Sequence, residues 1–202
     1  MARPTFIYLA SQSPRRKQLL EQLGVPFELL LPDGDEDVES LELVLPHEKP
    51  RAYVQRVTGL KLKAAIQRMQ RRSLPSAPVL CSDTTVALGT TIYGKPDNDA
   101  HAKEILHQLS GHTHRVLTAV AIGTVRKQVQ SISVSHVRFS TLSKADIDRY
   151  VASQEPMGKA GAYAIQGKAA AFISHISGNY SGIMGLPMFE TAHLLREFGY
   201  TI

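Results

Sequence analysis

The sequence predicts an α/β protein built on a mixed sheet. Three observations carry that expectation. Short apolar segments of strand character alternate with segments of helical spacing through both halves of the chain. An apolar run at 6–10, FIYLA, leads through a short polar turn into a helix opened by Ser13-Pro14. Two long stretches rich in β-branched residues, 115–125 and 129–140, follow each other closely enough to pair as antiparallel neighbours.

FIYLA reads as a buried strand. In the helix that follows, the Ser13 oxygen can cap a free N–H, Pro14 loses no hydrogen bond, Leu19, Leu20 and Leu23 recur at helical spacing, and Gly24 closes the segment. FELLL at 27–31 is the next strand, and PDGDEDVES at 32–40 is an acidic loop with turn residues. From Pro50 to about Met69, Tyr53, Val54, Val57, Leu60, Ala64 and Ala65 mark a long helix, with a loop at 70–78 behind it. VLCSD at 79–83 reads as a buried strand ending in polar residues, with TVALG at 85–89 and TIYGKP at 91–96 forming a further strand and turn. Residues 97–109 form a helix capped near Asp97 or Asn98, and Ser143 caps another that runs to about Ala152. A glycine-bearing segment at 158–167 precedes the apolar run AAFISHI at 170–176. SGNYSG at 177–182 then turns the chain into a last helix from Pro187 to Phe198.

The 202 residues, 43% of them hydrophobic, can form one large domain or two lobes divided near 141–143, and a single functional unit is expected. A net charge of +5 from 23 basic and 18 acidic residues suits an anionic ligand. No basic stripe interleaved with aromatics accompanies it and tryptophan is absent, which argues against stable nucleic-acid binding. The single cysteine, Cys81, excludes an internal disulfide and fits a reducing compartment. The apolar run near the N-terminus is too short for a signal peptide or a membrane span, so a cytoplasmic protein without membrane contact is expected.

Four polar clusters carry candidate chemistry. Ser11, Ser13, Arg15 and Arg16 surround a helix N-terminus, where a like charge costs roughly 0.3–1 kcal/mol unless an anion compensates it. Hydroxyls, free N–H groups and guanidinium forks suit a phosphate there; a solvated basic turn is the alternative. Asp33, Asp35, Glu36, Asp37 and Glu39 can bind Mg²⁺ or Mn²⁺ together with substrate phosphates, or simply form a solvated acidic loop. Asp83, between Ser82 and Thr84 at a predicted strand end, can activate water or hold a metal, or cap its own backbone. Lys61 and Lys63, and above all Lys95 in the rigid turn Gly94-Lys95-Pro96, can add phosphate contacts. In the segment Lys159 to Gly167, Tyr163 can stack on a base and Gln166 can hydrogen-bond a base edge, or the segment can be a loop with a buried tyrosine. His112 and His114 have no acidic neighbour that would favour a metal site, and Cys81 has the context of a buried strand residue.

Together these residues resemble the Maf family of nucleoside triphosphate pyrophosphatases, once called septum-formation inhibitors. The resemblance spans almost the whole chain. It rests on LASQSPRRKQLL, Asp35-Glu36, Lys61, SDTTV at 82–86, GKP at 94–96, GHTHRVLTAVAI, KAGAYAIQG at 159–167 and GLP at 185–187. It implies an elongated mixed sheet flanked by helices in two lobes around a cleft, like the inosine triphosphate pyrophosphatases, and usually a homodimer. It also implies metal-dependent hydrolysis (Mg²⁺, Mn²⁺ or Co²⁺) of a nucleoside triphosphate between the α and β phosphates. Asp83 matches the proposed proton acceptor, Glu36 and Asp83 match carboxylates implicated in metal binding or catalysis, and Lys61 and Lys95 match phosphate-contacting lysines, Lys61 being placed with Asp83 and Glu36 among the catalytic residues. Ser11, Ser13, Arg15, Arg16 and Lys95 match the phosphate site. Members acting on 7-methyl-GTP resemble SPWR, SDQ and a late-loop glutamate; this chain has Arg15, Thr84 and Gln166 there, which resembles the branch acting on dTTP and UTP. Many members carry Glu-Lys in the long helix, whereas Leu60 precedes Lys61 here. The older family name leaves a nucleotide-sensing regulator of cell division as an alternative function, which an intact Asp83 and Glu36 disfavour.

Overall fold

Three long antiparallel strands form the spine of the sheet: β3 (Val79–Leu88), β5 (Thr113–Gly123) and β6 (Gln128–Phe139). This computed structural model describes residues 5–34, 36–38 and 40–202, so Asp35 and Glu39 of the acidic loop lie outside the described residues. The strand order is β2-β1-β3-β5-β6-β7, with β1 (Ile7–Leu9) parallel to both β2 (Phe27–Leu29) and β3, and β7 (Ile173–Ser177) antiparallel on the far edge. A short strand, β4 (Thr91–Tyr93), pairs with β3 off this path. The mixed sheet flanked by helices is the α/β class the sequence predicts.

The free edge of β3 shapes the molecule. On one side β5 pairs with β3 from Val79 to Ala87. On the other, β1 reaches only Val79 and Leu80, and β4 only Val86 to Leu88. Among the described residues no strand pairs with that edge of Cys81 to Thr85, and the sheet opens there. The sequence reading, which ended a strand at Asp83, is corrected by this topology. Residues 79–88 form one continuous strand, and the polar run sits at its middle because β5 still satisfies its inner edge.

Each end of β3 anchors its own core. Around Leu80, the buried side chains Ile7, Leu9, Val120 and Ile122 meet Leu19 and Leu20 of α1 (Pro14–Gln22) and Leu194 and Leu195 of α6 (Met188–Glu197). Around Val86, buried Val116, Val137 and Phe139 meet Leu106 and Leu109 of α3 (Asp99–Leu109) and Ile147 and Val151 of α4 (Lys144–Ala152). Full burial of each such leucine or isoleucine contributes about 1.5–3 kcal/mol. The helix α2 (Pro50–Arg71) lies across the other face, placing Val54, Val57, Leu62 and Ile66 on β3 and β5. Where a plain turn was expected, the chain forms a five-residue helix, α5 (Tyr180–Met184), whose cap is Asn179 and whose end is Gly185 at φ +119°.

Candidate active site

A cleft of about 490 Å³ lies over the open edge of β3, a size suited to a nucleotide-scale ligand. Its lining comes from the β1–α1 turn, the loop before α2, α2, mid β3, the turn after β4, the 158–166 segment and the end of α5.

Strand alternation sorts the polar run of β3 onto two faces. Asp83 shares the face of Cys81 and Ala87, beneath α2; there Lys61 Nζ donates to Asp83 Oδ1 at 2.6 Å. The same ammonium donates to Glu42 Oε1 at 2.7 Å, and Lys95 Nζ donates to Glu42 Oε2 at 3.0 Å. Burial works against the Lys61 charge, but Asp83 and Glu42 outweigh it and hold the pKa above that of an ordinary lysine. Burial likewise opposes the Glu42 carboxylate, and the Lys61 and Lys95 cations more than offset it, lowering its pKa.

Ser82 and Thr84 face the other way, toward α1 and α5. The Ser82 hydroxyl lies 2.8 Å from the Ala119 carbonyl and 3.0 Å from that of Gly185. Thr84 Oγ1 lies 3.0 Å from Thr118 Oγ1. The Arg16 guanidinium spans this wall: Nε donates to the Gly185 carbonyl at 2.8 Å and NH1 to Ser11 Oγ at 3.3 Å, with NH2 3.5 Å from Thr84 Oγ1. Ser13 caps α1 by accepting from the Arg16 N–H at 3.4 Å, and Arg15 Nε donates to the Met184 carbonyl at 3.4 Å. Neither arginine is offset by an acidic residue in the first turn of α1. Across the mouth, burial and the nearby Arg15 cation depress the pKa of Lys159. Arg15, Arg16, Lys61, Lys95 and Lys159 thus line one cleft against Glu42 and Asp83. Such a surplus of partly desolvated cations is matched by a polyanion.

The 158–166 segment reaches the cleft because its backbone lies flat on β3. A Cβ at Gly161, where φ is +70°, would come within 2.7 Å of Val86 Cγ2. Gln166 is exposed at the cleft, where its amide can read a ligand's polar edge. Tyr163 is only 6% exposed; its hydroxyl lies 2.8 Å from His114 Nε2 and its ring packs edge-on against Phe139. His114 is buried, which drives its pKa down to about 4, so it is a neutral core residue at pH 7. Burial pushes the Cys81 thiol up to about 12, which removes it as a nucleophile.

Of the residues singled out in the sequence, Ser11, Ser13, Arg15, Arg16, Lys61, Asp83, Thr84, Lys95 and Gln166 converge on this cleft. Glu36 does not line it. Its carboxylate takes Arg68 Nε at 2.9 Å and an Arg71 NH2 at 2.5 Å, and the Arg68 hydrogen bond, against some burial, lowers its pKa to about 2. Asp33 pairs with Arg72, and Asp37 accepts from the Ser40 N–H at 3.0 Å. Among the described residues no group of three or more histidine, cysteine or carboxylate side chains forms a metal cage. Sequence reasoning missed Glu42: nothing in its local sequence separates it from its acidic neighbours, and only the fold places it between two lysines.

A family model described as Maf-like protein matches residues 6–198. The chain is 68% identical to the dTTP/UTP pyrophosphatase of Albidiferax ferrireducens over 98% of both chains. It is 62% identical to the dTTP/UTP pyrophosphatase of a Polaromonas species, again over 98% of both. Among solved structures, the Ham1 protein of Staphylococcus aureus aligns at a TM-score of 0.41 and 12% identity, covering 66% of this chain and 71% of that one.

Proposed function

The chain belongs to the Maf family, and from that premise we propose that it hydrolyses dTTP and UTP to the monophosphate and pyrophosphate, clearing these or modified pyrimidine nucleotides from the pool. The observation that carries the proposal is the Asp83–Lys61 pair on the floor of a cleft whose walls also carry Arg15, Arg16, Lys95 and Lys159. The triphosphate is then the anion that Arg15 and Arg16 lack in the sequence.

Asp83 takes a proton from a water whose oxygen attacks the α phosphorus, and the bond to the bridging oxygen breaks toward the departing pyrophosphate. Lys61 orients the Asp83 carboxylate through its 2.6 Å contact. Arg16, fixed by Gly185, Ser11 and Thr84, together with Arg15, Lys95 and Lys159, offsets the charge that gathers on the leaving group. Gln166 at the mouth can donate to and accept from a pyrimidine imide edge, with Arg15 and Thr84 bounding the same cleft.

The donor set fits a hard divalent cation such as Mg²⁺, Mn²⁺ or Co²⁺ held by Asp83 and, chiefly, by substrate phosphate oxygens, since two-carboxylate or one-carboxylate sites of that kind need no protein cage. Such a cation would polarise the phosphoryl oxygens. Glu36, committed to Arg68 and Arg71, braces the acidic loop on α2 in this scheme. Family membership also supports a homodimer in the cytoplasm; among the described residues no helix is long and apolar enough to cross a membrane.

The test is pyrophosphate release by the purified protein with Mg²⁺ or Mn²⁺ across dTTP, UTP, CTP, GTP and 7-methyl-GTP. Preferential turnover of dTTP and UTP is the expected result. Preferential turnover of 7-methyl-GTP, or binding without turnover of any of them, contradicts the proposal.

A further inference from the structure

Both oxygens of the Glu42 carboxylate are spent on two lysines that line the cleft: Oε1 on Lys61 at 2.7 Å and Oε2 on Lys95 at 3.0 Å. A phosphate oxygen accepts from an ammonium in the same way a carboxylate oxygen does, so the two compete for the same N–H groups. The backbone that carries Glu42 is pinned. Tyr53 OH donates to the Glu42 carbonyl at 2.8 Å, and Arg56 donates to the Leu43 carbonyl at 2.8 Å while pairing with Glu48 at 2.7 Å. Glu42 is therefore presented to the lysines at a high local concentration, and it yields them by rotating its side chain.

We propose that Glu42 is a resident anion: it occupies the phosphate site of the free protein, bridges Lys61 and Lys95, and is displaced when a polyphosphate binds. The proposal rests on the assignment of the cleft to a triphosphate and adds a gate to it. In the free protein, Glu42 holds two ammonium groups side by side, and its charge together with that of Asp83 balances theirs. A bound polyphosphate must replace both contacts, so weak single anions are excluded at the expense of some affinity for the substrate.

The experiment is calorimetric binding of inorganic pyrophosphate to the full chain in buffer containing EDTA, so that no cation contributes. It compares wild type, Lys95→Met, Glu42→Gln and Glu42→Asp. Glu42→Gln removes the charge. Glu42→Asp keeps it but shortens the arm by about 1.5 Å, too short to span both lysines from a pinned backbone. Both Glu42 variants are expected to bind pyrophosphate about three- to thirty-fold tighter than wild type, the range for losing two partly screened ion-pair competitors, and Lys95→Met more weakly. Tightening in Glu42→Gln with Glu42→Asp at the wild-type value would reduce the effect to through-space charge and overturn the proposal. Weaker binding by Glu42→Gln would make Glu42 part of the ligand site and overturn it as well. If wild type binds and Lys95→Met binds equally well, or if none of the four binds, the phosphate assignment of the cleft fails, and the gate falls with it.

Discussion

Lys61 on α2 and Asp83 in the middle of β3 meet at 2.6 Å across the opening in the sheet, an ion pair between a helix residue and a strand residue 22 positions apart in sequence. The contact exists because Asp83, only 7% exposed, sits on the strand face that α2 covers, and Lys61 is the half-buried residue of α2 directly above it. Removing Lys61 leaves a buried carboxylate with its charge uncompensated, which costs about 3–5 kcal/mol in fully buried pairs and less where the cleft admits water. Lys61→Met is therefore expected to lose about 1–3 kcal/mol in urea unfolding, within the range for a lost charged partner, and at least about 10²-fold in kcat. Adding Asp83→Asn to it should restore much of the stability and none of the activity. A double variant as unstable as Lys61→Met alone would show that the pair does not couple.

Glu36 offers a pH test. Held at about 2 from an ordinary value of 4.5, it contributes stability that is fully present above pH 4.5 and is lost as the pH falls toward 2. Solvent screening of this loop carboxylate leaves about 1–2 kcal/mol of that shift as stability. Glu36→Gln should be less stable than wild type at pH 7 by about 1–2 kcal/mol, with the gap closing between pH 4.5 and 2 in pH-dependent urea titrations. A gap that stays constant over that window would mean Arg68 and Arg71 do not engage the carboxylate.

Gln166 stands exposed at the cleft, so its exchange should alter selectivity without harming the fold. Gln166→Glu loses the donor that an imide carbonyl needs and adds a negative charge. Its kcat/KM for dTTP and UTP should fall about tenfold or more relative to GTP, the scale of one lost polar contact. An equal fall for every base would remove Gln166 from base recognition.

The elements whose ends carry local chemistry were legible in the sequence. Ser13-Pro14, Asn98 and Ser143 each cap the helix they precede, and the β-branched runs pair as β5 and β6. The continuity of β3 was not legible, since a run of Ser82 to Thr85 reads as a strand end when its β5 partner is out of view. The helix α5 lies hidden between Gly178 and Gly185, in a segment whose composition says turn. The cationic wall was legible because Arg15 and Arg16 violate the helix-dipole preference locally. The acidic half of the site was not: which carboxylate of the 33–48 loop reaches Lys61 is decided by the tethers from Tyr53 and Arg56, which join residues 11 and 13 positions apart.

The most direct measurement of the central claim is single-turnover hydrolysis of dTTP by Asp83→Asn beside wild type, with dTTP binding measured on the same two proteins. A fall in rate of about 10²–10⁴-fold, with binding kept within a few-fold, is the predicted result for loss of a positioned base. An Asp83→Asn protein that turns over dTTP at the wild-type rate would contradict it.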